Sequence, residues 1–378
     1  MLSSRRIATM GGDIFRDEYS LAFDGTNDYL ATGADGTAAD ATYVFWAKSS
    51  VTGANKGVFG HGGDRVGAFH FNHSSGRPIL YLTDSDRYQY WVDTPAQDDG
   101  QWHHWAVVVD IDDMENGCKL YVDGILIAQY SRDESGTTTA YGNLEIGRST
   151  TANEFQGNIS DFAVYNTLLT QAQIQTIYNG REPFNHKESS FASNLTNWWR
   201  MGDGALDEYQ ATTTSGIIQD VVNEGFGNDV ITNGGFDADS DWAKGDFTIG
   251  SGVATVTTDG ANQYLKQINL WSDNANDGKV VKLEYEITAN TDTVVLKING
   301  YSGTDISSGS KTLASTVGVH QAYLFVNGTG NADSITFYVN HTTGETISID
   351  NVKLSVSNGA AGNMTNMAYN DIETDTPS

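Results

Sequence analysis

The sequence predicts an all-β protein of two β-sandwich domains with one short helix. Three observations lead to that class. Short runs of apolar residues alternating with polar ones recur along the chain at close spacing. The 41 Gly and 4 Pro, with abundant Thr, Ser, Asn and Asp, suit many strands joined by tight turns. Long helical patterns are nearly absent, and 378 residues leave room for two or three domains, each with its own core.

Residues 1–18 read as an N-terminal arm, carrying Arg5, Arg6 and the pair Gly11-Gly12. The first strand signal is "YSLAFDGTNDYLATG", where Leu21 and Phe23 alternate with Ser20, Ala22 and Asp24 and Gly25 marks a turn. Further strands follow in "ATYVFWAKS", "GVFGHG", "AFHFNH", "PILYLTD", "YQYWVDT", "WHHWAVVVD", "KLYVDG", "ILIAQY", "NLEIGRS" and "GNISDFAVYN". In "WHHWAVVVD" strand geometry sends His103 and His104 to opposite faces, so they cannot share one metal ion. His70 and His73, three apart, fall on opposite faces by the same rule. Asn116-Gly117 and Asp123-Gly124 are hairpin signals. A helix is expected over 168–180, with Thr170 as N-cap, Gln173 completing a capping box, Leu169 and Ile174 as a hydrophobic staple and Gly180 closing the end.

A second β-rich block runs over 230–358. Val281, Leu283, Tyr285 and Ile287 alternate strictly, as do Ile335, Phe337 and Val339, and about eight strands fit one sandwich. "GND" at 227–229 and "AAGNMTNM" at 360–367 are small and polar, as domain junctions usually are.

"SLAFDGTNDYL", "WHHWAVVVD…KLYVDGILIA", "LEIGRS" and "FQGNISDFAVYNTLLTQAQIQTIYNG" together resemble laminin G-like domains of the concanavalin A-like lectin/glucanase superfamily. The resemblance implies a two-sheet jelly roll over 19–229, with sugar- or protein-binding roles and sometimes calcium. "NWWRMGDG…IIQDVVNEGFGND" is similar to a segment of marine bacteriophage proteins that continues directly into a run like "MTNMAYNDIETDTPS". Here that run stands only at 364–378, so the second block reads as an insertion, with residues 359–378 returning to the first sandwich. The second block, through "NGGFDADSDW" and "ISIDNVKL", resembles carbohydrate-binding-module jelly rolls; the same pair also occurs in galactose-binding-like sandwiches that bind no sugar.

No catalytic residue is expected. Asp110, Asp112, Asp113 and Glu115 superficially match the carboxylate spacing of glycan hydrolases in the superfamily, but they run into Asn116-Gly117 and so decorate a turn. No G-x-S-x-G or H-E-x-x-H pattern is present, and Cys118 has no flanking base. Asp237, Asp239 and Asp241 alternate as in oxygen-ligand loops, yet the loop lacks the EF-hand Gly and Glu. The resemblance to carbohydrate-binding modules implies structural calcium at Asp237 and Asp350. Tyr88 and Tyr90, on one strand face with Trp91 on the other, and Tyr264, Trp271 and Tyr301, in or near loop-like stretches, are the candidate sugar-stacking residues. Trp102, Trp105, Trp198 and Trp242 read as core.

The balance of 48 acids against 21 bases gives a formal charge of −27, which disfavours nucleic-acid and anionic-membrane partners. One cysteine permits no internal disulfide, and the N-terminus has no apolar stretch of the signal-peptide kind. These features lead to the expectation of a non-enzymatic bacteriophage virion protein. It would be released by lysis, present in many copies or as a homo-oligomer, anchored by its arm to other virion proteins and adhering to host glycans. The alternatives are a purely structural capsid or tail decoration protein and, third, a glycan hydrolase.

Overall fold

The computed structural model describes residues 15–377 apart from 35–38, 53–55, 63, 74–75, 83–86, 114–115, 135–141, 150–152, 205–206, 210–215, 223, 273–274, 277, 292–293, 299–310, 327–332, 340–343 and 368. Most of the arm, with Arg5, Arg6, Gly11 and Gly12, lies outside the described residues, as do Glu115 and Tyr301. The fold is all-β with antiparallel sheets and one α-helix among the described residues. The chain divides into two units: residues 1–29, 35–214 and 365–378, and residues 30–34 and 215–364.

The first unit is a sandwich. One sheet runs in the order Ile125–Leu126, Lys119–Val122, His103–Val109, Ala41–Lys48, Gln156–Tyr165, Ser20–Asp24 and Ile372–Glu373, with Leu195–Trp199 also on Gln156–Tyr165. The facing strands are Gln129–Glu134, Arg87–Trp91, Arg77–Tyr81, Asp64–His73, Lys56–His61 and Leu144–Ile146. Alternation puts Phe45, Trp105 and Phe162 of the first sheet against Phe59, Phe69, Phe71 and Trp91 of the second. Edge-to-face pairs dominate, such as Phe69–Phe71 with centroids 5.8 Å apart.

The C-terminal segment closes the edge of the first sheet. Ile372 and Glu373 pair with Leu21 and Ser20, and the Asn158 amide donates to Glu373 at 2.8 Å. Asp375 accepts from the Trp102 indole at 3.0 Å and pairs with Lys48. The helix is Gln171–Tyr178, shorter than the expected 168–180 because Asn179 and Gly180 both turn left-handed after it. Both bonds of the Thr170–Gln173 capping box are made, and Ile174 and Ile177 are buried.

The second unit has a sheet ordered Ala243–Gly245, Gln263–Gln267, Ile335–Val339, Leu296–Ile298 and Lys311–Thr312. Its other strands gather on the 20-residue strand Thr346–Thr365, which pairs with Val253–Thr257, Lys279–Asn290, Phe226–Asp229 and Gly216–Gln219. Between them Leu265, Val281, Leu283, Tyr285, Ile287, Phe337 and Ile349 form one core. Of the two stretches read as junctions, 227–229 lies in a paired strand, whereas 360–367 contains the boundary between the units at 364/365 while most of it continues a strand. Small residues there serve close approach: a Cβ on Gly362 would stand 2.5 Å from the Leu30 side chain.

Candidate functional site

One face of the first unit's second sheet gathers imidazoles and phenols. It is created by a bulge in Asp64–His73. His70 pairs with Ile79 and His73 with Arg77, so three steps on one strand match two on the other. Asn72 absorbs the extra residue with a φ of 49°. The two histidines therefore share a face, with ring centroids 6.3 Å apart, which corrects the expectation that strand alternation separates them. Gln97, from the connection after Arg87–Trp91, braces the bulge. Its Oε1 accepts the Asn72 N–H at 2.8 Å, and its Nε2 donates to the Gly76 carbonyl at 3.1 Å and weakly to Thr94.

His73 lies between two phenols. Tyr81 Oη bonds its Nε2 at 2.9 Å and Tyr90 Oη its Nδ1 at 2.8 Å. With a neutral ring, one phenol donates to the bare nitrogen and the other accepts from the N–H. Tyr88 stands beside Tyr90, centroids 5.2 Å apart at 70°, and edge-on to Tyr81 at 6.2 Å. Tyr88 and Tyr90 are half-buried, whereas Trp91 on the reverse face is 1% exposed in the core. This face offers ring surfaces together with hydroxyls whose orientation is fixed by one imidazole, a combination suited to a flat, hydroxyl-bearing ligand.

The second unit's candidates are less concentrated. Tyr264 lies in the strand Gln263–Gln267 rather than a loop, because it continues the alternation of buried Gln263, Leu265 and Gln267. It is directly opposite Tyr338, with Lys297 next in the same row, and its ring covers Gly245, where a Cβ would stand 2.5 Å from Cε1. Trp271 is partly buried against the hydrophobic core, so it is a packing residue more than a free loop aromatic. Asp237 is exposed, and Asp350 receives the Asn351 backbone and side-chain N–H groups. Among the described residues no group of three or more His, Cys, Asp or Glu side chains is placed to hold a metal ion. Asp237 and Asp350 therefore belong to no such group.

The acids at 110–113 belong to a turn. Asp110 Oδ1 accepts the N–H groups of Asp112 and Asp113, and Asp113 accepts that of Asn116. Asn116-Gly117 is thus the end of a nine-residue connection between His103–Val109 and Lys119–Val122, not a two-residue hairpin. Asp123-Gly124 does make the tight left-handed turn, with φ of 50° and 75°. His103 and His104 diverge as strand geometry requires. His103 bonds Asp123 at 2.7 Å, and that bond, with lesser help from Asp99, raises its pKa despite partial burial. His104 is buried against Trp46 and Tyr178, and burial pushes its pKa down to about 4.

Nothing in the periodicity signalled a second polar cluster. Tyr165 bonds His186 Nδ1 at 2.7 Å, His186 Nε2 meets Asp161 at 3.2 Å, and the Trp198 indole donates to the same carboxylate. Burial opposes the charge on Asp161, but His186 and Trp198 hold its pKa below the usual range. His186 is 0% exposed, so this relay braces the fold and is closed to ligands.

Residues 24–175 match the family described as the concanavalin A-like lectin/glucanases superfamily. No curated protein matches the sequence. Among solved structures, a pentraxin from Limulus polyphemus is 16% identical with a TM-score of 0.33, over 43% of this chain and 82% of its own. A carbohydrate-binding protein from Bacteroides ovatus, described as putative, is 16% identical with a TM-score of 0.38, over 54% of this chain and 56% of its own. A CBM4 structure is 18% identical with a TM-score of 0.25, over 34% of this chain and 99% of its own.

Proposed function

We propose that this chain is a non-enzymatic glycan-binding protein whose principal ligand face is formed by Tyr88, Tyr90 and His73, with the buried Tyr81 bonded to His73. The Tyr81–His73–Tyr90 clasp carries the reading: it fixes hydroxyl groups beside ring surfaces on a lectin-like sandwich. Sugar hydroxyls exchange donor and acceptor roles with such phenols, while pyranose C–H faces pack on the rings. The turn-bound acids at 110–113 have no place in this scheme, consistent with binding without hydrolysis. In the finer reading the protein is a bacteriophage virion component, shown in many copies to host-surface glycans and held by its N-terminal arm, with weak single-site affinity raised by avidity. Tyr264 and Tyr338 would supply a secondary contact in the second unit.

A glycan array probed with the intact chain, followed by product analysis of each bound oligosaccharide, tests this reading. Binding to a restricted set of glycans with no cleavage products supports it. Binding to none, or appearance of shortened sugars, rejects it.

A further inference from the structure

We propose that Gln97 is a positioning residue for this ligand face: its amide sets the bulge at Asn72 and so aims His73 between Tyr81 and Tyr90. The proposal rests on the glycan-binding reading for its functional consequence, but its structural part stands apart from it. A bulge leaves its extra residue out of register with the neighbouring strand, so the backbone N–H there needs another acceptor. Gln97 Oε1 supplies it at 2.8 Å. The other end of the amide donates at 3.1 Å to the carbonyl of Gly76, in the hairpin turn that follows. One side chain, 25 residues away and 5% exposed, thus ties the bulge to the turn beyond it.

The residue type follows from this task. Position 97 must offer one acceptor and one donor from the same planar group, which glutamine does. Glutamate keeps the acceptor but sets a carboxylate against the Gly76 carbonyl, and leucine fills the space without either bond. Asn72 has a left-handed φ of 49°, where a residue carrying Cβ is disfavoured and glycine is not. Loss of the brace therefore favours a regular strand, which turns His73 away from His70 and the phenols. Glycine at position 72 favours the bulge intrinsically and should replace the brace.

The test uses the full chain labelled with 15N-histidine, and compares wild type, Gln97→Leu, Gln97→Glu and Gln97→Leu/Asn72→Gly. His73 to Ala, alone, assigns its resonances among the 8 histidines. In Gln97→Leu and Gln97→Glu the two His73 ring nitrogen resonances should leave their wild-type, phenol-bonded positions and move toward those of a solvated imidazole. Affinity for an array-selected oligosaccharide should fall about tenfold, the loss expected from misplacing a hydrogen-bonding group. The double variant should restore the wild-type resonances and bring affinity to within about threefold of wild type. Wild-type His73 resonances in both single variants would overturn the proposal, as would failure of Asn72→Gly to restore them. Should Gln97→Leu not fold, Gln97→Glu gives the same reading. If the resonances respond as expected but the wild type binds no oligosaccharide, glycan binding falls and the positioning role stands.

Discussion

His104 is one residue at which pH should act on the stability of this protein. It is 1% exposed, and neither ring nitrogen has a hydrogen-bond partner among the described residues. Burial lowers its pKa from 6.5 to about 4. The neutral form is favoured in the fold, so its stabilising effect is full above pH 6.5 and is lost as pH falls toward 4. His61, also driven by burial to about 4 and bonded to the Gly142 carbonyl, acts in the same direction. His103 has the opposite sign: its raised pKa makes its contribution full below 6.5 and lost as pH rises through the folded value. Replacing His104 by Phe should remove roughly 2–3 kcal/mol of the stability difference between pH 7 and pH 4.5. Urea unfolding at the two pH values measures it; an unchanged difference in the variant would show that His104 is not the acid-sensitive group.

The helix and the C-terminal strand make separate predictions. Thr170→Ala removes the hydroxyl that accepts the Gln173 N–H, leaves the reciprocal bond from the position-170 backbone N–H to Gln173 Oε1, and should cost about 1 kcal/mol, read from the urea midpoint. Deleting residues 366–378 removes the strand beside Ser20–Asp24 and the bonds from Trp102 and Asn158, a loss on the order of 2–3 kcal/mol. Calorimetry should show a lower first-unit transition in the truncated chain; an unchanged one would mean that the segment is a passive tail. The helix and the alternating strands were legible in the sequence because their signals are local, whereas the return of the C-terminal segment was read only from a resemblance. Thr170 and Gln173 stand at the capping-box spacing, and Val281 to Ile287 alternate without interruption. The candidate site was only partly legible. Tyr88, Tyr90 and Trp91 obey simple alternation, so their faces could be read directly. His73 could not, because its direction depends on a bulge held by an amide 25 residues from Asn72. Period-two reasoning holds only while the register does.

Taken together, the chain joins a β-sandwich to a second β-rich unit under a formal charge of −27. That charge should prevent retention on heparin or DNA even at low salt, and retention on either would argue for a basic surface absent from this account. Neutral glycans escape the repulsion, and their recognition depends on rings and hydroxyls of the kind around His73. The most direct test is the equilibrium affinity of an array-selected neutral oligosaccharide for the wild type and for Tyr88→Ala/Tyr90→Ala, measured by titration calorimetry. The account predicts a loss of tenfold or more in the double variant, since a stacked ring contributes roughly 1 kcal/mol or more. Equal affinities for the two proteins would contradict it.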